Sequence, residues 1–179
     1  MAGSPLAHKK LTIADVLGLG RALIETANLY PTRFLTERDF FPLVAAYLNG
    51  RVPALKAEVA AEGGTIDFHL KGANPTWLEL AVQPRALCDK NFPELPFAGH
   101  RFKNTLYASQ NRAELRKLMQ EPQGKTRFLL LVDLSVGYDV EKLKAGYQRE
   151  ARELEGGTSV RVVYTAQNSA ADFHFVAHG

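Results

Sequence analysis

Two short runs, Gly64 to Lys71 and Thr76 to Gln83, alternate in polarity with a period of two, and Gly72-Ala73-Asn74-Pro75 joins them. A turn of that composition between two such runs commits the chain to an antiparallel hairpin. Each run carries one acid among apolar neighbours: Asp67 follows Ile66, and Glu79 lies between Leu78 and Leu80. An ionised carboxylate in that setting is costly unless something pairs with it. If the turn lies at Gly72 to Pro75, Lys71 pairs near Thr76 and Asp67 lies beside the Glu79-to-Ala81 stretch. Two acids side by side on adjacent strands suggest a divalent-metal site. Alternation groups Asp67 with Thr65, His69 and Lys71, opposite Ile66, Phe68 and Leu70. It groups Glu79 with Trp77, Ala81 and Gln83, opposite Leu78, Leu80 and Val82. Both acids fall on the less apolar faces, which suits a site and a solvent-facing pair equally.

The rest of the chain supplies the elements around this hairpin. Leu11 to Asn28 has apolar residues at helical spacing despite Gly18 and Gly20, and residues 1 to 10 read as a flexible lead-in. Thr36-Glu37-Arg38-Asp39 resembles a capping box that opens a second helix through Leu48, with Pro42 near its first turn. Leu55 to Ala61 adds a strand before the hairpin, so the three form a meander. Residues 86 to 108, rich in Pro, Phe and Asn, read as a long ordered loop. Ser109 is placed as the cap of a third helix through Met119. Arg127 to Leu134 is a nearly continuous apolar run, as expected of a strand buried on both faces. Val140 to Leu154 reads as an amphipathic helix and Ser159 to Thr165 as a last strand. The predicted order is α-α-β-β-β-α-β-α-β, an α/β fold with a mixed sheet, because β-α-β units make parallel pairs.

Composition narrows the function classes. The 179 residues, 46% hydrophobic and 23% charged, suit one domain over 11 to 179. A formal charge of +3 permits an anionic partner without requiring one. Cys88 is the sole cysteine, so neither an intramolecular disulfide nor a cysteine-built zinc site is available, and a cytoplasmic setting is expected. His69, His100, His174 and His178 lack zinc-ligand spacing. No apolar run approaches the ~20 residues of a membrane span, and the first ten residues have no signal-peptide core. Glycine-rich nucleotide signatures are absent.

The order α-β-β-β-α-β, with an acid on the second core strand and Glu on the third, resembles the PD-(D/E)XK nuclease superfamily, the restriction-endonuclease-like fold. Ile66-Asp67 is similar to its Asp motif and Leu78-Glu79-Leu80-Ala81 to its Glu-x-Lys strand, with Ala81 standing where the pattern has lysine. Thr36-Glu37 is similar to the helical Glu that many members carry. The resemblance spans about residues 35 to 165. It implies Asp67 and Glu79 as ligands of Mg²⁺ or Mn²⁺, Glu37 in support, and hydrolysis of nucleic-acid phosphodiesters. Lys56, Lys103 and Arg112 are the candidates to replace the missing lysine, while Lys71 and His69 are poorly placed along the strand. Arg101, Lys103, Arg112, Arg116 and Lys117, with Phe102 and Tyr107, form a basic and aromatic stretch suited to a phosphate backbone, and equally to a solvated helix face. The expected partner is nucleic acid, DNA before RNA; a homodimer or a protein partner stays open. Two alternatives remain: the same fold without catalysis, serving as a binding module, and another α/β domain whose acids face solvent.

Overall fold

The computed structural model describes residues 11–30, 33, 36–49, 55–61, 64–71, 75–84, 105–120, 126–135, 138–154 and 158–175. The lead-in at residues 1 to 10, Cys88, His100, Arg101, Lys103, His178 and most of the 86-to-108 loop lie outside them. Six strands form one mixed sheet in chain order: β1 (Leu55–Ala61), β2 (Gly64–Leu70), β3 (Thr76–Gln83), β4 (Thr126–Asp133), β5 (Val160–Ala166) and β6 (Ala170–Phe175). Neighbours β1, β2 and β3 are antiparallel, β3, β4 and β5 parallel, and β5 and β6 antiparallel. The meander and the two β-α-β units are as the sequence predicts. The sixth strand is an addition: Phe173 and Phe175 alternate inward after the Gln167-Asn168-Ser169 turn, a run too short and too polar to stand out by pattern.

Four helices cover the sheet. α1 (Ile13–Leu29) begins at Thr12, whose hydroxyl accepts from the Asp15 amide while the Asp15 carboxylate accepts from Thr12 N–H, a reciprocal capping box. Its buried residues Val16, Leu19, Leu23, Ile24 and Ala27 make one stripe at helical spacing. Thr36 and Asp39 form the predicted capping box, yet it opens a 3-10 turn (Glu37–Phe40) before α2 (Phe41–Asn49). α1 and α2 pack on Phe68, Leu78, Leu80, Val82, Phe128, Leu130 and Val132. The opposite face holds α3 (Arg112–Gln120) and α4 (Val140–Glu153) against Trp77, Ala81, Leu129, Leu131, Val162 and Tyr164. α3 starts at Arg112 rather than at Ser109, which lies in the preceding turn; the Asn111 carbonyl accepts the first helical bond, from Leu115.

The expected alternation fails at one place. Phe68 and Leu70 join the α1 and α2 face, but Ile66 joins the α3 and α4 face. Between them, Asp67 drops out of the pairing with β1, and its opposite number Glu58 has φ of +51°. A non-glycine residue in that left-handed region is uncommon and marks a local departure from the regular strand. Pairing of β2 with β3 ends at the same point, with Phe68 opposite Leu78 as the last pair before the strands part. No helix among the described residues is long and apolar enough to cross a membrane.

Candidate functional site

Where β2 and β3 part, the Asp67 side chain replaces the lost ladder: its Oδ2 accepts from Leu80 N–H at 2.8 Å. Glu79, one step past the last β2–β3 pair, lies beside it, within hydrogen-bonding reach of the Asp67 carboxylate. β3 is the third of six strands and is buried along its whole length, so Glu79 is only 1% exposed. The solvent-facing reading of this acid is thereby overturned: α3 covers the face on which its neighbours Trp77 and Ala81 pack.

α3 supplies the counter-charge. Lys117 Nζ lies 2.8 Å from Glu79 Oε1 and donates to the Thr65 carbonyl at 2.8 Å, bridging β3 and β2. The lysine side chain is 14% exposed, and its stem runs over Gly64, where a Cβ would come within 3.3 Å of Lys117 Cδ. Gly64 has φ of +133°, open to glycine and strained for any L side chain, so bare backbone makes room for the lysine. Glu114 sits one turn earlier on α3, on the same side as Lys117. Its Oε2 is buried without a hydrogen-bond partner among the described residues.

Glu37, first residue of the 3-10 turn, reaches the same cluster. Its carboxylate accepts from the Val82 backbone amide and feels the charges of Asp67, Glu114 and Lys117. Three predicted residues, Asp67, Glu79 and Glu37, are thus brought together from three separate elements. Burial, then the Asp67 charge, pushes Glu79 up to about 9, against the opposing pull of Lys117. Burial and the same Asp67 charge push Glu37 up to about 7, with Glu114 adding to the rise and Val82 N–H and Lys117 opposing it.

The remaining candidates are placed elsewhere. Arg112 is bound by Glu150 at 2.8 Å and Glu153 at 2.9 Å, so its guanidinium ties α3 to α4. Lys56 pairs across from His69, away from the acids. His69 stacks on Trp77, ring centres 3.9 Å apart. In the sequence Lys117 stands out only as one member of a basic stretch. The signal for its role is its position three residues after Glu114, both beside the buried Leu115, Leu118 and Met119 stripe that faces the sheet.

The donor set is all oxygen, which suits a hard cation such as Mg²⁺. Asp67 Oδ2 is engaged by Leu80 N–H and Glu79 Oε1 by Lys117, and the two carboxylates lie within hydrogen-bonding reach of each other. The unsatisfied buried Glu114 oxygen and the raised Glu79 and Glu37 mark a place short of positive charge. Among the described residues no trio of acid, histidine or cysteine side chains is already arranged to hold a metal ion. A scan against protein-family models finds no match for the chain, and a search of curated proteins finds none.

Proposed function

We propose that this chain is a divalent-metal-dependent nuclease with a restriction-endonuclease-like fold of the PD-(D/E)XK type, in which Lys117 of α3 supplies the ammonium that position 81 lacks. The observation that carries the reading is the 2.8 Å approach of Lys117 to Glu79, beside Asp67 at the parting of β2 and β3. Lysine from a packed helix and lysine two residues along β3 reach the same acid from different directions, so the chemistry survives the alanine.

In this reading Asp67 and Glu79 hold the metal and Glu37 supports it. A bound Mg²⁺ supplies an acidified water and neutralises charge at phosphorus. Lys117, its ammonium held by Thr65 O, would add positive charge beside a phosphate bound there. Ionising Glu79 requires charge compensation, because burial otherwise keeps its proton.

The test is cleavage of labelled DNA and RNA, single- and double-stranded, with Mg²⁺ or Mn²⁺. Wild type cuts at least one substrate, and Lys117→Met lowers kcat about 10²- to 10⁴-fold, the range for loss of a positioned proton-transfer group. Calorimetric titration of Mn²⁺ shows binding that the Asp67→Ala, Glu79→Ala double variant loses. A wild type that neither binds metal nor cuts any substrate gives way to the second reading, a nuclease-shaped binding module.

A further inference from the structure

Lys56 and Lys71 come together on the far side of β2 from the chain's known carboxylates. Lys56 sits on β1 directly opposite His69, so the two share a face, and Lys71 follows His69 by two residues. Both lysines are exposed and share the His69 face, one diagonal step apart across β1 and β2. That proximity holds Lys71 below the ordinary lysine range. The named ion pairs of this face go elsewhere: Arg38 pairs with Glu58 and Lys117 with Glu79. Neither Lys56 nor Lys71 pairs with a carboxylate among the described residues. Two like charges brought together with no acid between them raise each other's energy, and an anion placed between them relieves it.

Their position relative to the acids is also set. Lys71 lies four residues along from Asp67, about 13 Å at ~3.3 Å per residue. Between them lies His69, half-buried and stacked on Trp77. We infer that Lys56 and Lys71 clamp a backbone phosphate of a nucleic-acid strand whose scissile phosphodiester, farther along the same strand, lies at Asp67 and Glu79. The inference rests on the nuclease reading for the identity of the ligand, and it assigns this chain's strand-holding cations to β1 and the end of β2. Arg112, spent on Glu150 and Glu153, is not one of them.

The experiment follows fluorescence anisotropy of a labelled single-stranded DNA 20-mer, and of its duplex, in EDTA so that nothing is cut. Affinity is measured from low to physiological salt for wild type, for Lys56→Gln with Lys71→Gln, and for Lys142→Gln with Arg149→Gln, two exposed α4 cations. For a clamp on one phosphate, the first double variant flattens log K against log salt by about 0.7 on the single strand and about 0.9 on the duplex, and the α4 variant leaves the slope as in wild type. Both substitutions are on the surface, and an unchanged melting temperature confirms an intact fold. Wild-type binding with an unchanged slope in the Lys56, Lys71 variant overturns the clamp alone. Equal flattening in both variants overturns it too, since net charge would then be the cause. A wild type that binds neither probe overturns the clamp, while the nuclease reading stands or falls on the cleavage test with Mg²⁺ or Mn²⁺.

Discussion

Ala81 follows Glu79 by two residues, so its Cβ points to the same side of β3, into the cluster built by Leu115, Leu118 and Met119. It is 3% exposed, and a lysine there would have to thread a packed face. We predict that Ala81→Lys alone destabilises the fold by about 1 to 3 kcal/mol in urea titration. Combined with Lys117→Met, it recovers at least about tenfold of the lost cleavage; no recovery would show that the helix position has no substitute on the strand. Glu79 gives a second prediction with an unusual sign. Its folded value, about 9, lies above its ordinary 4.5, so the folded chain holds a proton that the unfolded chain releases. The stability from this group is complete below about pH 4.5 and is lost as pH rises through about 9. Urea midpoints of wild type should therefore decline across that window, and Glu79→Gln should flatten the decline; parallel pH curves would refute the raised value. The acids themselves were legible in sequence, because a carboxylate amid a strand's apolar residues is conspicuous. Lys117 was not, because its significance depends on where α3 lies against the sheet.

α1 shows how an element's identity and its docking are separate matters. Its apolar stripe and the Thr12 and Asp15 cap make a helix from local rules alone. Gly20 looks like a weakness in that pattern, since glycine costs about 1 kcal/mol inside a helix. In place it is the contact point with β5: a Cβ would come within 2.3 Å of Thr165 Oγ1, and Thr165 is fully buried. Gly20→Ala thus gains helix propensity and loses packing. We expect a net loss of about 1 to 3 kcal/mol in thermal or urea unfolding, and a stabilised variant would mean that α1 rides higher on the sheet. β2 teaches the converse. Its period-2 pattern places a strand over Gly64 to Lys71 and the strand forms at Gly64–Leu70, but the face assignment breaks at Asp67, opposite Glu58 with its φ of +51° on the neighbouring strand. Sequence pattern carries no trace of that event, which depends on two strands meeting.

At the level of the whole molecule, the carboxyl ends of β3 and β4 are tied to the later segments by a buried polar network. Asp133 accepts from Ser135 N–H and Oγ–H and from the Tyr164 hydroxyl at 2.8 Å; Gln83 accepts from Thr105 N–H and the Tyr138 hydroxyl. Tyr164→Phe removes one donor from a carboxylate that is 1% exposed, and should cost about 1 to 3 kcal/mol of global stability with the sheet intact by circular dichroism. Stability equal to wild type would mean that solvent reaches Asp133. The network could not be foreseen from single residues, since its members are up to 55 positions apart. The sequence by itself determined the hairpin with its two acids and the parallel β4 and β5, because periodicity and turn chemistry act over a few residues. Tertiary structure alone decided that β2 and β3 part at Asp67, that Glu79 is enclosed, and that a lysine on α3 answers it. Those outcomes depend on which surfaces pack together, and burial converts a carboxylate's local position into a demand for charge that only a distant residue meets.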